Sequence, residues 1–182
     1  MSFLRCRFIL ELTPGYLPRQ ARDKGQEKLK KRGSFLQEVK TFPKLWDAAY
    51  SDQERYTQAD LASMIEYARL RGVRVMVEFD VPGHAQSWCK GYPEVCTACE
   101  AQKGSTLPLN PSRNATFELM ASLLGEMTGG SASTAGSPSG LFPLNMIHLG
   151  GDEVDTDCFN RDPEIAAWMA GRGAENDFLS LF

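Results

Sequence analysis

TQADLASMIEYARLRGVRVMVEFDVPGH, residues 57–84, is the stretch that decides the fold class of this chain. Thr57 and Asp60 stand in capping-box spacing, and Leu61, Met64, Ile65 and Ala68 follow at i, i+3, i+4 and i+7, so the spacing predicts an amphipathic helix. Gly72 can end that helix, because only glycine enters the left-handed region without cost. Val73, Val75, Met76, Val77 and Phe79 then read as a mostly buried strand that runs into the turn formers Pro82 and Gly83. A helix that feeds directly into a buried strand is one step of a parallel α/β fold.

The step repeats downstream. Phe117, Met120, Ala121 and Leu124 form a second helical stripe, Gly129 and Gly130 stop it, and Leu144, Met146, Ile147 and Leu149 form a second short strand. Residues 129–140 between them are almost all Gly, Ser, Ala, Thr and Pro, which reads as a flexible surface insertion. Asp162 and Pro163 fit the N-cap and first position of a helix carrying Ile165, Trp168 and Met169. The alternation leaves two architectures, a doubly wound sheet or a (β/α)8 barrel, and both gather chemistry at the C-terminal ends of their strands.

Composition sets the outer limits. With 182 residues, 42% of them apolar and 24% charged, there is material for one core. A net charge of -3 gives no general attraction to nucleic acid or anionic lipid, and no apolar run reaches the roughly 20 residues of a membrane span. The opening, Met1 to Leu12, lacks a long uninterrupted apolar stretch and a small-residue cleavage site, so no signal peptide is read there. Residues 19–33 form a basic run with almost no apolar residue, read as a solvated helix or connector because no aromatic residues interleave with the charges. Five cysteines, at 6, 89, 96, 99 and 158, cannot all pair within one chain; Cys96 and Cys99 have the spacing of a redox or zinc half-site, but further zinc ligands are wanting.

Two polar clusters fall at the two strand ends, Glu78-Asp80-His84 and His148-Asp152-Glu153. Asp152 and Glu153 would face opposite ways in a regular strand, whereas Gly150 and Gly151 permit a bend that aims both into one pocket. Neighbouring carboxylates repel when both are ionised, so one of them should hold its proton and serve as a general acid. A solvated acidic turn, and a strand histidine at His148 that merely bonds across the sheet, are the plainer alternatives. A hard-cation loop would present more oxygen ligands at alternating positions, so no metal is assigned.

The stretch HLGGDEV at 148–154 resembles the signature of the family 20 glycoside hydrolases, the β-N-acetylhexosaminidases. YTQADL at 56–61, IEYARLRGVRVMVEFDVPGHAQSW at 65–88, LNPSRNATF at 109–117 and DEVDTDCF at 152–159 agree with it in order and spacing, over about residues 34–182, most closely with the plant-like lysosomal or vacuolar branch. The resemblance implies a (β/α)8 barrel that removes terminal N-acetylglucosamine or N-acetylgalactosamine from glycans with retention of configuration, using neither cofactor nor metal. The substrate's own acetamido oxygen is the nucleophile in this family. By resemblance, Glu153 protonates the departing oxygen and later deprotonates the attacking water, while Asp152 holds the acetamido N–H and balances the positive oxazolinium. Asp80 and His84, with His148 and Glu78, are expected to bind sugar or support the acid. The family also implies a disulfide between Cys99 and Cys158, a glycan on Asn114 of the Asn114-Ala115-Thr116 acceptor, a lysosomal, vacuolar or secreted location, and a homo-oligomer among its assemblies.

The pattern departs from the family at the front. Phe8 to Pro18 resembles the first barrel strand, but Pro14 stands where the family has a sugar-gripping arginine, and the second strand's motif is absent from the basic run before SFLQEVKTFPKL at 34–45 resumes the family pattern. A lost exon or misjoined gene model would produce such a pattern. The expected architecture is therefore α/β, a partial barrel with strands 1, 3 and 4 and without strand 2 or strands 5–8, split into a divergent segment 1–33 and a partial catalytic domain 34–182. A barrel of this type needs about 250 residues, so the 182-residue chain is expected to hydrolyse little or nothing alone. Two other readings stay open: an inactive truncated isoform that binds glycans or pairs with another subunit, and an α/β hydrolase of another kind that uses Asp152 and Glu153 with a metal.

Overall fold

The computed structural model describes residues 6–11, 37–49, 52, 55–99, 107–129, 140–142, 147–151, 154 and 156–173. In chain order the elements are β1 (Cys6–Glu11), a 3-10 helix (Pro43–Ala48), α1 (Gln58–Arg69), β2 (Arg74–Phe79), α2 (Gln86–Gly91), a 3-10 turn (Pro93–Val95), α3 (Asn114–Thr128), α4 (Thr156–Arg161) and α5 (Pro163–Ala170). The basic run 19–33, Pro14, the acids Asp152 and Glu153, and most of the insertion 129–140 lie outside the described residues.

α1 begins on the reciprocal capping box that its sequence encodes. The Thr57 side chain accepts from the Asp60 backbone N–H, and the Asp60 side chain accepts from the Thr57 N–H. Its buried face is Leu61 and Ile65, while Met64 is more than a third exposed. After Gly72, at φ +70°, the chain enters β2, where Val75, Val77 and Phe79 point into the main core with Leu119, Leu123 and Met127 of α3. Glu78 points to the opposite face by the two-residue period of a strand.

The stripe expected on α3 is corrected by about one position. Leu119, Leu123 and Met127 carry the buried face together with Thr116; of the expected stripe Met120 and Leu124 pack half-buried against the core, whereas Phe117 is 58% exposed and Ala121 faces solvent. The Thr116 hydroxyl donates to the carbonyls of Asn110 (2.7 Å) and Val95 (3.2 Å), which turns that side of the helix inward. Gly129, at φ +84°, ends the helix, and its N–H donates to Gly125 O. At the C-terminal end Glu126 accepts from the N–H of Lys40 (2.6 Å), the N–H and hydroxyl of Thr41 (2.9 and 2.6 Å) and the Gln58 amide (2.5 Å). One carboxylate thus ties α3 to the segment before the first 3-10 helix and to the start of α1.

A second correction concerns the sheet. β1 pairs with β2 antiparallel, Cys6 opposite Phe79 and Glu11 opposite Arg74, where a first barrel strand would run parallel and would not neighbour the third. Strand 1 of the expected barrel is therefore not in place here. Among the described residues no strand lies between the two in sequence, and the edge of β2 offers N–H and C=O groups that β1 satisfies in the opposite sense. On its other edge β2 has the expected parallel neighbour, a bridge between Glu78 and His148. Residues 147–149 supply it; the preceding part of the predicted strand, 144–146, lies outside the described residues.

Candidate active site

The parallel bridge brings the two polar clusters to one edge. His148 N–H donates to Val77 O (3.0 Å), Phe79 N–H to His148 O (2.9 Å) and Val81 N–H to Leu149 O (3.0 Å), so both strands finish at the same level. Glu78, Asp80 and His84 are all buried there. His84 Nε2 lies 3.9 Å from Asp80 Oδ2, within ion-pair range but too long for a hydrogen bond. His84 has φ +53° and follows a cis Val81–Pro82 peptide; the Pro82 carbonyl accepts from Leu109 N–H at 2.9 Å.

The glycine bend closes on Asp80. Gly150 and Gly151 have φ +68° and +98°, and the Gly151 N–H donates to Asp80 Oδ1 at 3.2 Å. A Cβ at Gly150 would overlap the Asp80 carboxylate, so the first glycine is required both by backbone conformation and by the approach of that acid. Beside it, His148 Nδ1 accepts from Gly150 N–H (3.1 Å) and lies 3.6 Å from Glu78 Oε1. The His148 side chain is half exposed and the Glu78 side chain almost fully covered. The sequence thus places Glu78, Asp80, His84 and His148 in one neighbourhood, and the next residues after the bend are Asp152 and Glu153.

The segment beyond those acids is anchored separately. Cys99 and Cys158 are joined, with Cα atoms 5.6 Å apart, which binds the 97–99 loop to α4. Asp162 is fully buried: Oδ2 accepts from Ala98 N–H (2.8 Å) while Oδ1 caps α5 through the N–H groups of Glu164 and Ile165. Arg113 grips both oxygens of Glu164 and donates to the carbonyls of Glu94 and Cys96, and its guanidinium holds Glu164 below the ordinary carboxylate range. Sequence reasoning missed a second disulfide, Cys89 to Cys96, that fastens the end of α2 to the loop after the 3-10 turn. Cys96 and Cys99 therefore have different partners, and the half-site reading of that pair does not hold. Among the described residues no three His, Cys, Asp or Glu side chains form a metal-binding group, and no helix is long and apolar enough to cross a membrane. Asn114 is exposed at the first turn of α3.

Two buried acids, a buried imidazole and a half-exposed one, collected at the C-terminal ends of adjacent parallel strands beside a backbone bend, have the arrangement of an enzyme site of the α/β barrel class. The chain belongs to glycosyl hydrolase family 20: residues 28–181 match the model of that family's catalytic domain. It is 39% identical over 139 residues to Beta-hexosaminidase 1 of Arabidopsis thaliana, covering 76% of this chain and 23% of that protein. To Beta-hexosaminidase subunit beta of Homo sapiens it is 39% identical over 152 residues, 81% of this chain and 25% of that protein. Among solved structures it is similar to the chitobiase of Flavobacterium johnsoniae, with TM-score 0.64 and 28% identity over 79% of this chain and 21% of that one. The chain spans about a quarter of the length of these curated relatives. The family likeness gives it the (β/α)8 barrel class, while the described residues form no closed barrel.

Proposed function

We propose that this chain carries the acid pair of a β-N-acetylhexosaminidase, which removes terminal N-acetylglucosamine or N-acetylgalactosamine by a substrate-assisted, retaining route. The observation that carries the reading is the tie between Asp80 and the Gly151 amide, since Asp152 is the very next residue and Glu153 follows it. In this reading β2 and residues 147–149 are the third and fourth strands of the barrel within a partial catalytic domain 34–182. Glu153 is the proton donor to the glycosidic oxygen and later the base toward water. Asp152 orients the acetamido group and offsets the charge of the oxazolinium, which a neutral nucleophile makes necessary. Asp80, His84, Glu78 and His148 support that pair or the sugar.

Two disulfides suit a lysosomal, vacuolar or secreted setting, and the exposed Asn114 suits a glycan there. The relatives named as subunits suggest association between copies or with a sister chain. Because Pro14 stands in place of the family's arginine, sugar is held weakly and turnover by the 182-residue chain is slow. The test is release of the aryl group from an aryl N-acetyl-β-glucosaminide by the purified chain and by its Glu153→Gln variant. A low rate that disappears in the variant is expected. Equal background in both sinks the reading and favours a non-catalytic glycan-binding or subunit-pairing piece.

A further inference from the structure

The His148 ring sits between two mutually exclusive partners. Gly150 N–H donates to Nδ1 at 3.1 Å, which requires a free lone pair on that nitrogen and hence a neutral ring with its proton on Nε2. The same Nδ1 lies 3.6 Å from the Glu78 carboxylate, a partner for a nitrogen that carries a proton. The backbone of His148 is fixed on both sides to β2, through Val77 O and Phe79 N–H, so ring movement is expressed in the bend that follows rather than in the strand. Other charged or titratable groups nearby are Asp80, which holds the Gly151 amide, and His84, which faces Asp80. Arg7 of β1 is in register with Glu78.

We propose that His148 is a positioning residue for the glycine bend that precedes the acid pair in sequence: its neutral ring clamps the Gly150 amide, and a proton on Nδ1 turns that nitrogen to Glu78 and releases the amide. The proposal rests on the reading of Asp152 and Glu153 given above for its catalytic meaning, but not for its geometry. Gly150 opens the bend, two residues before Asp152 in sequence, so the clamp fixes the backbone from which the pair follows. Asparagine supplies a side-chain oxygen at about the distance of Nδ1 from the backbone and cannot titrate, so it separates the clamp from its proton response.

The experiment follows the 15N-labelled 182-residue chain by NMR from roughly pH 8 to pH 5, the range over which histidines ordinarily change charge. Only two histidines are present, so both rings can be assigned. A neutral His148 is expected to carry its proton on Nε2, and the Gly150 amide resonance should move in step with protonation of the ring. In His148→Asn that resonance should stay near its high-pH position throughout, and in His148→Ala near its low-pH position. A neutral ring with its proton on Nδ1, or a Gly150 amide indifferent to the ring's titration, overturns the proposal. Where the aryl-glycoside assay shows Glu153-dependent release, His148→Ala should lower kcat with little change in KM and His148→Asn should restore it; failure of both variants to differ from wild type also overturns it. Absence of release from every chain counts against the hydrolase reading alone, because the NMR result does not depend on turnover.

Discussion

Replacing Gly150 by alanine isolates the closest approach in the candidate site. At φ +68° an alanine carries the left-handed penalty of about 1–2 kcal/mol. Its methyl would also overlap the Asp80 carboxylate and lie 3.0 Å from Asp80 Cα, so the acid must swing away and give up the Gly151 N–H. Loss of a hydrogen bond to a charged group costs about 1.5–3 kcal/mol, which puts the total near 2.5–5 kcal/mol. Gly72→Ala is the control, because φ there is +70° and no atom lies within 4 Å of the added Cβ, leaving strain alone. Urea unfolding followed by far-ultraviolet circular dichroism should place Gly150→Ala about 1.5–3 kcal/mol below Gly72→Ala. In an Asp80→Ala background most of that excess should vanish, since the carboxylate that collides is gone. If the two alanine variants unfold at the same urea concentration, the proposed closure of the bend on Asp80 is wrong.

Two further outcomes follow from the anchors. Opening the Cys99–Cys158 bridge by paired serine substitution should cost about 4 kcal/mol on chain-entropy grounds for a separation of 59, against about 2.4 kcal/mol for Cys89–Cys96 with a separation of 7, and thermal unfolding of the two double variants should rank in that order. Burial opposes ionisation of Glu126, yet its hydrogen bonds from Thr41, Lys40 and Gln58 prevail and hold its carboxyl below the ordinary range. A depressed folded pKa means that its stabilisation is complete above the unfolded value and is lost as pH falls through the folded one, so Glu126→Gln should flatten the acid limb of stability against pH, and an unchanged limb would exclude this role.

Much of the frame is written in local patterns. The capping box at Thr57 and Asp60, the apolar run from Val75 to Phe79 and the Asp162-Pro163 start of α5 each encode their element within a few residues, and the structure has all three. The meeting of Glu78 and Asp80 with His148 was legible because parallel strands end on the same side. What was not legible depends on distant partners. The rotation of α3 comes from a Thr116 hydroxyl that needs the carbonyls of Val95 and Asn110, and helical periodicity carries no trace of that. The direction of β1 is decided by which edge of β2 stands open, a property of the assembled sheet. Cysteine spacing does not determine pairing, so the bond between Cys89 and Cys96 was not legible although they stand only 7 positions apart.

The two moorings around the acids constrain something other than side-chain identity. On one side the Gly151 amide is fastened to Asp80, and on the other Cys158 is bonded to Cys99 while Asp162 holds Ala98. Six residues, 152 to 157, lie between these fixed ends. An inserted or deleted residue there changes how much chain joins Gly151 to Cys158, two ends that are held by partners outside the span.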